Sequence, residues 1–175
     1  MIALLVEKGI DVNTQNDSGK TALHLAAFHG KLGAVKELRN SGASYEVRDK
    51  VGLSTLHYAV DGGHLDTIQY IIMDDHEIDP ADNCGWTPLL RCASLSGKCE
   101  VAEILLKFKA NINTLDNENK SALMTAVIKG NQPLVQLFVE YGADLEIKNE
   151  YGKNPFDLAI AMDRRVSNID FCFSI

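Results

Sequence analysis

A nine-residue phrase recurs along this chain at an almost constant interval. Its clearest copies occupy residues 49–57, 82–90 and 116–124, and weaker copies occupy residues 16–24 and 149–157. The turn positions within the copies are Gly19, Gly52, Gly85, Asn119 and Gly152. The intervals between them are 33, 33, 34 and 33 residues. A fixed period of this size indicates stacked supersecondary units, none of which buries its apolar face alone.

Each period has the same internal order, which predicts two helices. A Ser or Thr after the turn is suited to cap a first helix, and a second Gly closes that helix. A second helix then carries a wide apolar stripe at helical spacing, as in residues 101–106 and 134–139. We therefore predict one all-α solenoid of helix-turn-helix pairs over residues 1–175. Its parts are a partial repeat at 1–15, repeats at 16–48, 49–81, 82–115 and 116–148, and a terminal repeat or cap at 149–175.

The repeated phrase and the turn that closes each unit resemble the ankyrin repeat. The best-matching stretches are residues 54–59, 85–89 and 141–145, and the resemblance covers roughly residues 3–165. It implies antiparallel helix pairs with a projecting β-hairpin finger in each repeat. It also implies a concave face and finger tips that bind other proteins.

The chain departs from this pattern at a few positions. Asn119 replaces the turn glycine in one unit, and Asp75 and Lys109 replace the glycine after two of the second helices. One extra residue lies between Thr87 and Gly97. We therefore expect the first helix of that repeat to bulge or to lengthen.

Composition and charge favour an intracellular protein that binds proteins rather than nucleic acid. The formal net charge is −7 and the pI is near 5.2, whereas nonspecific nucleic-acid binding depends on neutralising phosphates with Lys and Arg. No apolar run approaches the ~20 residues of a membrane span, and the apolar start is shorter than the core of a signal peptide. We expect a location in the cytoplasm, the nucleus or both.

The two ends of the chain are unusually apolar for a repeat array. Residues 1–6 read as the second helix of an incomplete repeat, and residues 171–175 read as either an atypical cap or a sticky tail. Terminal repeats normally carry polar outer faces because they have no neighbour there. We expect a mostly monomeric protein, with self-association through the truncated ends as the alternative.

Cysteine and histidine spacing gives no catalytic or metal-binding pattern. The cysteines are Cys84, Cys92, Cys99 and Cys172, and the five histidines are divided between the repeats at 16–48 and 49–81. We expect reduced thiols, with Cys92 and Cys172 buried and the other two near the surface. His24 and His57 are interpreted as structural imidazoles that link backbone and Ser/Thr hydroxyl groups. We therefore predict no catalytic residue, no metal site and no cofactor, and a protein that is not an enzyme.

Positions that the repeat does not need for its own folding are candidates for binding a partner protein. The resemblance places these at the finger tips and on the exposed side of the first helices. Trp, Tyr and Arg are enriched among interface hot spots. The candidate protein-binding residues are Leu53, Tyr58, Trp86, Arg91, Leu95, Lys120 and Lys129. The alternative for Trp86, the only tryptophan, is that it lies flat against the neighbouring finger.

The predicted function is noncatalytic binding of a partner protein on a preorganised surface. Two alternatives remain open at this stage. The chain is either a recruiting or regulatory domain of a larger enzyme, or part of a transcriptional regulator that acts through protein partners. The identity of the partner does not follow from the sequence.

Asn13 and Asn113 are candidate sites of asparaginyl hydroxylation. Each has a Leu eight residues earlier, at Leu5 and Leu105, which resembles the pattern in known ankyrin-repeat substrates of that oxygenase. The alternative is that Asn suits a turn, because its side chain hydrogen-bonds local backbone and tolerates left-handed geometry. Modification requires local opening of the hairpin, so Asn13, beside the incomplete first repeat, is the better candidate.

Overall fold

The computed structural model describes residue 4 and residues 7–75 and 77–162. Within these ranges the chain is helical, without β-strands. The α-helices in chain order are α1 Ala22–Phe28, α2 Leu32–Asn40, α3 Thr55–Gly62, α4 Leu65–Asp75, α5 Pro88–Arg91, α6 Cys99–Lys107, α7 Ala122–Lys129, α8 Gln132–Glu140 and α9 Pro155–Ala161. A π-helical segment, Cys92–Ser96, continues α5 directly. The fold class is therefore all-α, as predicted.

The chain divides into two compact units, Met1–Asn83 and Cys84–Ile175. In the first unit α1 packs against α2 and α3, and α4 packs against α2 and α3. In the second unit α7 lies beside the π segment and packs against α8 and α9, while α6 packs against α8.

The first helices begin at side-chain caps that recur with the period of the sequence. Each capping side chain accepts a hydrogen bond from the backbone N–H three residues later, which satisfies one of the donors left open at a helix start. The capping residues are Thr21, Ser54, Thr87, Ser121 and Asn154. Local sequence therefore sets where each of these helices starts.

Apolar side chains between paired helices form the core of each unit. Leu23, Leu56 and Ile71 are almost fully buried in the first unit, and Leu123 and Phe138 are in the second. Close backbone approach adds to this packing in the first unit. A Cβ at Gly62 would clash with the carbonyl oxygen of Phe28, so no larger residue fits there without moving α1.

The extra residue between Thr87 and Gly97 is absorbed by the π segment. The N–H of Gly97 donates to the carbonyl of Cys92 at 2.9 Å, five residues earlier, and Gly97 adopts a left-handed conformation with φ 60°. A π turn takes up one residue more than an α turn. The predicted bulge in this helix is confirmed.

At two positions where another residue replaces the usual glycine, the backbone adopts the left-handed geometry that glycine adopts in the other repeats. Asn119 has φ 57° and Lys109 has φ 72°. Asn tolerates this region better than most residues because its side chain hydrogen-bonds nearby backbone. The turn of the repeat is thus kept even where its glycine is lost.

The β-hairpin fingers remain a prediction. Consecutive turns are joined by single backbone hydrogen bonds, such as Lys50 N–H to Ser18 O at 3.2 Å and Asn117 N–H to Cys84 O at 3.1 Å. These bonds form no strand in the described ranges. The expectations for residues 1–3, for residues 5–6 and for the tail beyond residue 162 lie outside the described residues. None of the helices described above is both long and apolar enough to span a membrane.

Candidate binding surface

Trp86 immediately precedes Thr87, the cap of α5, in the second unit and is half-buried. Its indole Nε1–H donates to Oδ2 of Asp116 at 3.2 Å. The other carboxylate oxygen of Asp116 accepts the backbone N–H groups of Glu118 and Lys120 at 2.9 and 2.8 Å. One buried carboxylate therefore fixes both the following turn and the orientation of the indole. This hydrogen bond anchors the indole to the next turn, and part of the indole stays exposed.

Lys120 belongs to the same group of side chains. Its Nζ lies 2.7 Å from Oε2 of Glu118 and 4.0 Å from Oδ2 of Asp116. The hydrogen bond with Glu118 raises the pKa of Lys120, and burial opposes this only in part. We call Trp86, Asp116, Glu118 and Lys120 the tip cluster. The positive charge of Lys120 is thus already compensated by the carboxylates of Glu118 and Asp116.

A second group of exposed or partly exposed side chains lies at the two ends of the π segment and at the end of α7. Leu95 is 59% exposed, Arg91 and Ile128 are partly exposed, and Lys129 is exposed. We call these four residues the π-turn patch.

The two helix ends that carry the patch are tied together by one side chain. Asn131, in the turn after α7, donates from Nδ2 to the carbonyl of Gly97 at 3.1 Å. Gly97 closes the π segment. This bond fixes the end of the π segment, which carries Leu95, beside the end of α7, which carries Lys129.

Leu53 and Tyr58, in the first unit, do not face solvent as expected. They are 5% and 6% exposed. The Tyr58 hydroxyl donates to Oδ2 of Asp49 at 2.6 Å, and its ring lies 5.1 Å from Lys20 Nζ and 5.0 Å from the His24 ring centroid. Side chains of the preceding repeat therefore cover Tyr58. The expectation that these two residues offer a free surface is wrong, and they are left out of the surface proposed below.

Asp49 repeats in the first unit the role that Asp116 has in the second. Its Oδ1 accepts the backbone N–H groups of Val51 and Leu53 at 2.9 and 2.8 Å. Burial raises the pKa of Asp49, but the hydrogen bonds from Tyr58 and from these two amides outweigh it and leave the pKa below its usual value. The carboxylate is thus held ionised by its donors.

Sequence reasoning missed two exposed apolar side chains in the first unit. Leu25 and Phe28 on α1 are 43% and 40% exposed. They occupy the places in their repeat that Tyr58 and Asp61 occupy in the next one. The signal was an apolar pair three residues apart on the side of α1 that faces away from its buried residues.

His24 and His57 are structural, as expected. Nδ1 of His24 accepts the backbone N–H of Thr21 at 3.0 Å, and Nδ1 of His57 accepts that of Ser54 at 3.1 Å. Burial lowers the pKa of His24 to about 4, against a smaller opposing effect of Asp49. His24 is therefore uncharged at neutral pH and completes a cap.

The cysteines in the described part of the chain form no disulfide bond. Cys92 is buried, Cys99 is partly exposed and Cys84 is exposed, as expected, whereas Cys172 lies outside the described residues. Burial, together with Glu100 and Glu103, raises the pKa of Cys99 and favours its protonated form. Within the described ranges no group of three or more His, Cys, Asp or Glu side chains is arranged to hold a metal ion.

Asn13 and Asn113 bridge consecutive repeats. Oδ1 of Asn13 accepts the backbone N–H of Ser44 at 2.8 Å, and its Nδ2 donates to Gly42 O at 3.3 Å. Oδ1 of Asn113 accepts the backbone N–H of Asp144 at 2.9 Å. Each side chain therefore holds a turn of the following repeat, which gives both residues a structural role.

Comparison with known protein families gives matches along most of the chain. A family model described as ankyrin repeats (3 copies) matches residues 33–116 and 93–171. Another, described as ankyrin repeats (many copies), matches residues 1–39.

Individual proteins match over nearly the full length of this chain. The B-cell lymphoma 3 protein homolog of Mus musculus is 33% identical over 174 residues, which are 97% of this chain and 38% of that protein. The transient receptor potential cation channel subfamily A member 1 homolog of Caenorhabditis elegans is 32% identical over 170 residues, 94% of this chain and 14% of that protein. The chain thus spans well under half the length of these curated relatives.

A solved structure shows the same fold. The crystal structure of the ankyrin repeat domain of Bcl-3, described as a unique member of the IkappaB protein family, matches with a TM-score of 0.88 and 29% sequence identity. The match covers 98% of this chain and 75% of that one.

Proposed function

Because the chain belongs to the ankyrin repeat family, we propose that it is a noncatalytic module that binds a partner protein. The ankyrin repeat fold is a typical protein-interaction scaffold. We place the binding surface on the first helices of the second unit and at their starts, a face that the family resemblance predicts to be concave, with β-hairpin fingers at its edge. The observation that carries this proposal is Trp86, whose indole is fixed by Asp116 and stays partly exposed.

The physical argument is preorganisation. Binding costs conformational freedom at the interface, and a side chain already held in one orientation loses less of it. Trp is also among the residues most enriched at interface hot spots. Trp86, Arg91 and Leu95 all belong to a single repeat, with Lys120 and Lys129 on the next one, so these residues form one proposed surface within the second unit.

The test is the affinity of partner proteins for wild type and for Trp86→Ala. Proteins captured from cells by the wild-type chain are purified and measured one by one by calorimetry. For a true partner we expect Trp86→Ala to weaken binding by about 2 kcal/mol, or roughly 30-fold, as typical hot spots do. Trp86→Phe should lose less, because it keeps an aromatic ring and removes only the pyrrole part of the indole, with its donor to Asp116.

Met73→Ala is the matched control, since Met73 is an exposed apolar side chain on α4 in the other unit. Circular dichroism must show that the variants stay folded. Equal affinities of wild type and Trp86→Ala for every captured protein would remove Trp86 from the binding surface. Unfolding of Trp86→Ala would assign the indole a structural role instead.

The chain spans only part of the length of its relatives. This supports a second role, in which the chain is one part of a larger protein and recruits a substrate or a regulator to it. In this role its partner is a substrate or a regulator of the remaining part, which is either an enzyme or a transcriptional regulator. Binding would still use the surface proposed above.

Within the family, we propose a particular resemblance to the ankyrin segment of the fibronectin type III and ankyrin repeat domains protein. It rests on residues 59–64, 85–89 and 148–153, and on residues 163–165, which lie outside the described residues. A transcript that encodes a fibronectin type III module ahead of this chain would support the proposal, and transcripts that never encode one would contradict it.

We also propose that Asn13 and Asn113 are substrates of an asparaginyl hydroxylase. Their side-chain hydrogen bonds to the next repeat must open before either can enter an enzyme. Peptides from cells with an active oxygenase should gain the mass of one oxygen, with more at Asn13 than at Asn113. Asn111, in the same peptide as Asn113, is the internal control. Absence of added oxygen on both residues would end the proposal.

A further inference from the structure

We propose that the π-turn patch binds an acidic peptide segment that carries an apolar side chain. This proposal rests on the interaction function above and names the class of partner. The patch consists of Arg91, Leu95, Ile128 and Lys129, all within the second unit.

The extra residue of the third full repeat is what brings Leu95 to the surface. The π segment carries one residue more than the corresponding turns of α3 and α7, and Leu95 is 59% exposed at its end. Arg91 precedes Leu95 by four residues, a spacing that places two side chains on the same side of a helical turn. π turns are rare and occur frequently at functional sites. The irregularity thus provides an apolar protrusion next to a basic side chain.

Lys129 places a positive charge beside this protrusion. The bond from Asn131 to the carbonyl of Gly97 joins the end of α7 to the end of the π segment. Lys129 forms no ion pair with any described residue, unlike Lys120, which lies 2.7 Å from a Glu118 oxygen. The charge of Lys129 is therefore left for a partner.

The charge of the patch is opposite to that of the whole chain. The formal net charge of the protein is −7, yet the patch holds no acidic residue and contains Lys129, which forms no ion pair with a described residue. On α7 the place of Arg91 is taken by Thr125, and in the repeat of α9 the places of Arg91 and Lys129 are taken by Leu158 and Met162. A partner segment with carboxylates complements this face, and an apolar partner side chain covers Leu95 and Ile128.

The test begins with selection of random peptides on the immobilised wild-type chain. Selected peptides are then measured by fluorescence polarisation against wild type and variants. We expect binders that contain Asp or Glu next to a large apolar residue. Lys129→Glu and Leu95→Ser should each weaken them about tenfold or more. Raising NaCl from about 50 to about 300 mM should also weaken them, because salt screens exposed charges.

Lys148→Glu is the matched control, because it makes the same charge change at an exposed lysine of the second unit outside the patch. It should change the affinity less than about twofold. Peptides in which Asn and Gln replace Asp and Glu should bind the wild-type chain as weakly as the original peptides bind Lys129→Glu.

The outcomes separate this proposal from the interaction function. Neutral or basic binders, or binders that are lost in Trp86→Ala but kept in Lys129→Glu and Leu95→Ser, would overturn the patch and leave the interaction function standing. Selection of no peptide at all would overturn the patch as well, while the partner proteins measured with Trp86→Ala decide the interaction function separately.

Discussion

At the scale of single residues, buried His24 makes the stability of the fold depend on pH. Its pKa is lowered from 6.5 to about 4 by burial. Between these values the unfolded chain binds a proton at His24 and the folded chain does not. The free energy of unfolding therefore falls as the pH falls through this window. We expect wild type to be less stable at about pH 5 than at about pH 7.5, and His24→Gln to lose less over the same interval.

The measurement is urea unfolding at both pH values, followed by circular dichroism. Each protein's free energy of unfolding is compared between the two pH values, so any pH-independent effect of the substitution on stability cancels. His29→Gln, which changes an exposed neighbour, should keep the wild-type difference. Asp49 does not interfere, because a carboxylate whose pKa is lowered loses its contribution only below its ordinary pKa. An equal pH effect in wild type and His24→Gln would contradict the structural role of this imidazole.

At the scale of elements, helix starts were predictable because each depends on one or two local residues. Thr87 and Ser121 cap α5 and α7 as their places in the repeat indicated. Counting residues also predicted an irregularity after Thr87. The count did not determine its form, since a longer helix and a local bulge satisfy it equally. The packing of α7 beside the segment and the bond from Asn131 to Gly97 are tertiary features that a count does not contain.

The candidate surface was predictable only in part, because exposure at a repeat position depends on the neighbouring repeat. Tyr58 and Arg91 occupy equivalent places, yet Tyr58 is buried and Arg91 is partly exposed. The difference arises from Lys20 and His24, which lie against the Tyr58 ring, and from Asp49, which accepts its hydroxyl. Contacts of this kind between neighbouring repeats do not follow from the pattern of a single repeat.

At the scale of the whole molecule, the two compact units predict two separable regions of stability. In repeat proteins each repeat contacts mainly its neighbours, so stability is a sum of local contributions.

Leu56 on α3 and Leu123 on α7 occupy equivalent places, and each is 1% exposed. Replacing a buried Leu by Ala costs about 2–5 kcal/mol. We expect Leu56→Ala to speed hydrogen exchange mainly in α1 to α4, and Leu123→Ala mainly in α5 to α9. Mass spectrometry of exchanged peptides measures both, and each variant serves as the control for the other. If either substitution speeds exchange equally in all helices, the chain unfolds as one cooperative body and the division into two units has no energetic meaning.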